Sequence, residues 1–199
     1  ISLTGTQLDQ LDAFAEIRPA YGDRFRNRIE HAQVIDTADI PRFADLQVIA
    51  SVQPTHATSD KAMAGERLGD SRLEGAYAWV RLRQAGVKLA LGSDFPVEPA
   101  NPFYGLHAAV TRQDRQNQPP GGWRPQEALT MQQAFAGFTT DAAWAGGMEG
   151  KVGVLQEGAH ADFLLLDRDP FAIPATEPPQ VSVEETWVDG RRVYVKKSR

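Results

Sequence analysis

The stretch LALGSDFPVEPANPF, residues 89–103, joins an apolar run to an aspartate and then to a loop rich in proline. Val87–Leu91 has the composition of a buried strand, and Asp94 lies three residues beyond its end. A charge next to a buried strand is expected to have a structural partner or a chemical role, because burying an unpaired charge is costly. Taken alone, Asp94 is most simply a cap for the segment that follows it.

Two earlier segments are also strand candidates. They are RIEHAQ at residues 28–33 and VIASV at residues 48–52, and helical patterns separate the three candidates. Buried strands that alternate with helices indicate parallel strands covered on both faces. Such units form an open sheet or a barrel, and in both the chemistry gathers at the carboxyl ends of the strands. The predicted fold class is therefore α/β.

Apolar spacing and start and stop signals predict the helices. An amphipathic first helix is expected over residues 7–17, ended by Pro19 and Gly22. Its apolar positions are Leu8, Leu11, Phe14, Ala15 and Ile17. Further helices are expected after Asp39, over residues 73–85, near residues 104–111, from a capping box at Thr130 and Gln133, and after Thr140.

The composition changes after Met148. Residues 161–167 read ADFLLLD, and TWVDGRRVYV at residues 186–195 has Asp189-Gly190 at its centre. An Asp-Gly pair suits the positive backbone angles of a tight hairpin turn. We therefore predict two units: residues 1–148 form the α/β part with the candidate site residues, and residues 149–199 form a small β-strand tail.

The candidate site consists of His31, His56 and Asp94, which lie toward the carboxyl ends of the three successive predicted strands. Neutral imidazoles and carboxylates are ligands that zinc and similar divalent ions accept, and three protein ligands with an open position suit catalysis. A bound metal lowers the pKa of its water, and a nearby carboxylate can take the proton and pass it to a leaving group. The spacing alone also fits many unrelated sequences.

Each histidine has a structural alternative. His31 could bond to a neighbouring carboxylate or a backbone carbonyl, and His56 could lie in a turn or cap a helix. His107 is expected on a helix surface, and His160 is expected to be structural or exposed in the tail. Glu98 is expected to be solvated in its loop, although it lies near enough in sequence to touch a substrate.

Composition excludes several classes of protein. A net charge of -5 over 199 residues provides no basic surface for nucleic acid, and no run of residues suits membrane attachment. The absence of cysteine excludes disulfides and thiolate metal sites. The expected compartment is the cytoplasm, with the periplasm left open because a periplasmic enzyme can also lack cysteine.

Five ordered stretches carry a resemblance to a known family. They are RIEHAQ, SVQPTHATSD at residues 51–60, LALGSDFPVEPANPF, GKVGVLQEGAHADFLLLDRDPF at residues 150–171, and TWVDGRRVY at residues 186–194. With them the chain resembles the carboxyl-terminal part of an amidohydrolase-superfamily protein. More closely it resembles the amidohydrolase family 3 branch, and it is similar to N-substituted formamide deformylase.

The resemblance implies a fold, an activity and a set of roles. The fold would be the second half of a distorted (β/α)8 TIM-like barrel, followed by part of a small β-sandwich. The activity would be hydrolysis of carbon-nitrogen bonds in small amide-like substrates, with one or two divalent metal ions, of which zinc is the expected one. His31 and His56 would bind metal, and Asp94 would bind metal and act as the general base and acid.

The chain also departs from the family pattern in ways that matter for the proposed site. The paired histidines of the first barrel strand are absent, and so is a clear lysine or glutamate ligand from the fourth strand. The chain has no initiator methionine and is expected to be a piece of a longer protein. Two hypotheses follow: part of a metal-dependent amidohydrolase, or a non-catalytic fragment or scaffold, without metal, that self-associates into a homo-oligomer.

Overall fold

A computed structural model describes the backbone of residues 4–197 and the side chains of residues 9–22, 24–69 and 71–197. The helices within this range are α1 (Thr4–Tyr21), α2 (Ile40–Asp45), α3 (Pro54–Ser59), α4 (Lys61–Leu73), α5 (Trp79–Gln84), α6 (Pro102–Thr111), α7 (Met131–Phe138) and α8 (Thr140–Ala145). The strands are β1 (Arg28–Glu30), β2 (Ile49–Val52), β3 (Leu89–Leu91), β4 (Phe163–Leu166), β5 (Val183–Val188) and β6 (Arg191–Val195).

The first three strands form a parallel sheet in the order β1-β2-β3. Ile29 pairs with Ala50, and Ser51 pairs with Ala90. Parallel neighbours need crossover connections, and helices supply them here. The expected parallel arrangement is confirmed, and helices and sheets are mixed as the α/β prediction requires. All three strands are shorter than the apolar runs suggested.

Strand β1 ends at Glu30 and not at residue 33 as predicted. His31 has φ 71° and Ala32 has φ 40°, so the backbone enters the left-handed region directly after the strand. The Ala32 amide donates to the Glu30 carbonyl at 3.0 Å, which turns the chain back on itself. Left-handed residues cannot continue a β-ladder, and the first candidate ligand therefore lies at the turn.

The single helix predicted over residues 73–85 is wrong. Residues 74–78 separate α4 from α5, and Ala76 forms an antiparallel bridge with Val34. The Ile35 amide donates to the Gly75 carbonyl at 3.0 Å. A Cβ at Gly75 would lie 1.6 Å from the Ile35 carbonyl oxygen, so the close approach requires glycine. Contacts with Val34 and Ile35 therefore replace the hydrogen bonds that a continuous helix would form here.

The first helix continues past Pro19 to Tyr21, which corrects the predicted end. Of the apolar positions with described side chains, Leu11 is fully buried, Phe14 is half-buried and Ile17 is 39% exposed. The Leu8 side chain lies outside the described residues. The helix therefore packs along a narrower stripe than the apolar spacing suggested.

The tail forms a second, antiparallel sheet in the order β4-β5-β6. Asp189 and Gly190 join β5 to β6 with φ values of 50° and 71°, which confirms the predicted hairpin. The capping box at Thr130 and Gln133 is also confirmed, because each side chain accepts from the backbone amide of the other residue. The division of the chain at residue 148 stays a prediction.

Candidate metal centre

The structure brings His31, His56 and Asp94 together. One potential ligand atom from each residue lies within 4.8 Å of the others. The two imidazole rings are stacked with centroids 5.8 Å apart, and His56 Nε2 lies 3.9 Å from Asp94 Oδ2. The predicted cluster therefore exists in the fold, while the metal-binding role of its members remains a proposal.

Strand order explains why residues distant in sequence meet. His31 directly follows β1, His56 lies in the first turn of α3 after β2, and Asp94 follows β3. The carboxyl ends of parallel strands meet at one edge of a sheet. His31 and Asp94 both have positive φ, at 71° and 56°, which is uncommon for residues other than glycine and occurs often at functional sites.

His56 is the buried member of the cluster. Its side chain is 8% exposed, and its Nε2 atom makes no hydrogen bond with any residue that the structure describes. Burial lowers the pKa of His56 below its ordinary value, and the carboxylates of Asp60, Glu98 and Asp94 oppose that shift. A neutral imidazole with an unpartnered buried nitrogen is suited to bind a metal ion. The two nitrogen donors and one oxygen donor fit zinc or a similar divalent ion.

A cavity of about 440 Å³ opens beside the cluster. Its lining includes three carboxylates, Asp60, Asp94 and Glu98, and no lysine or arginine from the part of the chain that is described. Glu98 was expected to be solvated. It is half-buried, and it accepts a hydrogen bond from Ser59 Oγ at 2.5 Å. The cavity is thus acidic, and Glu98 is part of its wall.

Sequence reasoning missed the polar side chains behind the two histidines. Gln53 Oε1 lies 2.9 Å from His31 Nδ1, and Gln33 Nε2 lies 3.2 Å from His56 Nδ1. Gln33 Nε2 also lies 3.3 Å from Asp60 Oδ2. The available signal was proximity in sequence, because Gln33 follows His31 by two residues and Gln53 precedes His56 by three.

His107 does not lie on a helix surface as predicted. It is 1% exposed on α6, and its Nε2 atom lies 2.8 Å from Asn117 Oδ1. His160 is exposed in the tail, with Nδ1 3.3 Å from Asp189 Oδ1, which agrees with its predicted structural or exposed position. His107 is therefore a core histidine.

Burial lowers the pKa of His107, so the folded protein favours the neutral ring. Below the ordinary histidine pKa of about 6.5, the unfolded chain takes up the proton first. The free energy of unfolding should therefore fall as the pH drops from 7.5 to 5.5, and His107→Gln should reduce that fall. His56 contributes in the same direction, so the dependence should not vanish.

Urea unfolding at several pH values measures this effect. His160→Gln is the matched control, because it makes the same substitution at an exposed position in the tail, away from the core. A pH dependence identical in His107→Gln and the parent protein would contradict the interpretation.

Solved metal-dependent hydrolases share this fold. An uncharacterized metal-dependent hydrolase from Pyrococcus horikoshii OT3 aligns with a TM-score of 0.73 and 28% sequence identity. The alignment covers 86% of this chain and 34% of the other. The fold is thus that of the metal-dependent hydrolases.

A sequence model of the amidohydrolase family matches residues 3–194, and the chain belongs to that family. The putative amidohydrolase YtcJ of Bacillus subtilis is 34% identical over 85% of this chain and 32% of its own length. The N-substituted formamide deformylase of Arthrobacter pascens is 30% identical over 90% of this chain and 33% of its own length. The resemblance found in the sequence is confirmed, and the chain spans about a third of the length of these relatives.

None of the helices within residues 4–197 is long and apolar enough to cross a membrane.

Proposed function

We propose that this chain carries part of the active site of a metal-dependent hydrolase that cleaves carbon-nitrogen bonds in small amide-like molecules. The observation that carries the proposal is the convergence of His31, His56 and Asp94 beside an acidic cavity, with His56 Nε2 buried and unpartnered among the described residues. The name of one relative, N-substituted formamide deformylase, supports an amide-type substrate. The parallel sheet represents part of a distorted (β/α)8 barrel, and the antiparallel sheet part of a β-sandwich.

Each residue has a distinct role in this proposal. His31 and His56 would hold a divalent ion, with zinc favoured by the donor set, and Asp94 would supply an oxygen ligand. The bound ion supplies Lewis acidity toward the substrate carbonyl and toward water. The Asp94 carboxylate is 39% exposed and faces the cavity, so it can accept a proton from the attacking water and return it to the departing nitrogen.

A second candidate function is a non-catalytic scaffold that self-associates. Strand β6 exposes apolar side chains, with Val193 at 61%, Tyr194 at 49% and Val195 at 50%. An exposed apolar strand at a sheet edge favours pairing with another chain. This candidate predicts an oligomer whose formation needs no metal.

Amine release from a series of N-substituted formamides and simple amides tests the proposed hydrolase. The zinc-loaded protein should release amine above the uncatalysed background, and Asp94→Asn should lose that activity because the amide cannot accept the proton. The absence of amine release by protein shown to contain zinc would overturn the catalytic proposal. A protein that binds no metal and sediments as an oligomer would favour the scaffold.

A further inference from the structure

The cavity beside the cluster has an excess of negative charge. Asp60, Asp94 and Glu98 line it, and none of the lysines and arginines that the structure describes joins them. Asp94 belongs to the three-residue cluster, whereas Asp60 and Glu98 lie outside it. A divalent ion held by the cluster therefore leaves two carboxylates in the cavity wall that have no role in the proposed reaction.

Asp60 does not perform the structural task that its position suggests. It occupies the N-cap position of α4, where an aspartate side chain commonly accepts from a backbone amide of the first turn. The Asp60 side chain forms no such hydrogen bond. Its Oδ2 atom instead accepts from the Tyr77 hydroxyl at 2.7 Å and lies 3.3 Å from Gln33 Nε2. These contacts fix a carboxylate that lines the cavity, and its Oδ1 atom has no hydrogen bond to a described residue.

The cation next to Asp60 in sequence is engaged elsewhere. Lys61 Nζ pairs with Asp114 Oδ2 at 2.8 Å. Glu98 accepts from the Ser59 hydroxyl through Oε1, which leaves its second oxygen free. Within the part of the chain that is described, neither Asp60 nor Glu98 forms an ion pair, in contrast to Asp114. The negative charge of this wall is thus not neutralised by the residues around it.

An independent feature shows that the same cavity has room and an unfilled position for a ligand. The His56 side chain lines it and is 8% exposed, and its Nε2 atom has no hydrogen-bond partner among the described residues. The cavity volume of about 440 Å³ is within the range of small-molecule sites. The unpaired carboxylates therefore border a place where a small molecule can lie beside the cluster.

We propose that the cavity selects amide-like substrates whose nitrogen substituent carries a positive charge, and that Asp60 and Glu98 bind this charge. The inference rests on the proposed function and adds the substrate class. An ammonium group provides three hydrogen-bond donors, which suit the carboxylate oxygens that have no partner. A negatively charged substituent is disfavoured, because the same two carboxylates repel it.

Three formamides of similar size test the charge preference. At neutral pH N-(2-aminoethyl)formamide is a cation, N-propylformamide is neutral and N-formylglycine is an anion. Backbone NMR shifts of the metal-free protein, in which no hydrolysis competes, give the dissociation constant of each compound. The cation should bind roughly 5–10-fold more tightly than the neutral formamide, and the anion should bind most weakly. The preference should shrink between about 0.01 M and about 1 M salt, because salt screens charges.

Substitutions of nearly equal shape identify the groups responsible. Asp60→Asn and Glu98→Gln each remove one charge and keep an oxygen that can accept from Tyr77 or Ser59. Each should reduce the preference for the cation, and the double variant should abolish it. Glu66→Gln, at an exposed position on α4, is the matched control. It changes the net charge by the same amount and should leave the preference unchanged.

Two results would overturn the inference. One is a cation that binds no more tightly than the neutral formamide, or a preference that Glu66→Gln reduces as much as Asp60→Asn does. The other is a zinc titration that shows two bound ions, one of which Asp60→Asn removes, since Asp60 would then be a metal ligand. Should Asp60→Asn fail to fold, Glu98→Gln and the salt dependence decide the question.

The proposed function is tested separately by amine release from the zinc-loaded protein. A preference for the cation without amine release would refute the hydrolase and leave the recognition of a cation by the two carboxylates standing. Amine release without a preference for the cation would support the hydrolase and refute the substrate class.

Discussion

Replacing His56 by alanine should weaken zinc binding by roughly 100-fold or more. Structural zinc sites bind with about 10–16 kcal/mol shared among four ligands, so one ligand accounts for a few kcal/mol. His56 is the best-prepared ligand of the cluster, since its ring is buried and its Nε2 atom has no other partner in residues 4–197. Burial lowers the pKa of His56, so protons compete only weakly with zinc for its ring. Calorimetric titration of the metal-free protein with zinc measures the change.

His160→Ala is the control for this experiment. The substitution is chemically identical, but His160 is exposed in the tail and pairs with Asp189 and not with the cluster. The control should therefore bind zinc like the parent. Equal losses of affinity in both variants would show that the bound zinc is held by scattered surface histidines and not by the cluster.

Replacing Trp79 by alanine should lower the free energy of unfolding by about 3–5 kcal/mol. Trp79 is 1% exposed, so the substitution leaves a large cavity. The guanidinium carbon of Arg112 lies 4.1 Å from the centre of the Trp79 ring, and Arg112 is itself fully buried. Burial lowers the pKa of Arg112 to about 9, and loss of the ring leaves that cation with less compensation.

Trp144→Ala is the matched control. Trp144 is half-buried and contacts Arg26 and Lys88 at the surface, with the Arg26 guanidinium carbon 4.5 Å from the ring centre. Its loss should cost only about 1 kcal/mol, as expected for a cation–π contact near solvent. Urea unfolding of both variants gives the comparison. Similar losses of unfolding free energy in the two variants would contradict the larger loss expected for Trp79→Ala. Trp79→Phe provides a milder substitution if the alanine variant does not fold.

Features of the fold that depend on local chemistry were predictable. The apolar run before Gly92, the capping box at Thr130 and the Asp189-Gly190 turn each specify their structure through neighbouring residues. The cluster of His31, His56 and Asp94 was also predictable in outline. It required only that three strands be parallel, because parallel strands bring their carboxyl ends to one edge.

Features that depend on distant partners were not predictable. Residues 73–85 have the pattern of one helix, but Gly75 bonds to a segment forty residues earlier and interrupts it. The sequence around His107 does not indicate that Asn117 will form a hydrogen bond with its ring. The compartment and the state of association stay predictions.

The sequence by itself determined the α/β class, the family and the three residues that meet at the strand ends. Short-range periodicity, turn residues and ordered motifs carry that information because each acts within a few residues. Only the tertiary structure decided that Gln53 and Gln33 contact the rings of His31 and His56, that Glu98 lines the cavity, and that Arg112 lies buried against Trp79. Those properties depend on which side chains from other segments remove water from a group and supply its hydrogen bonds.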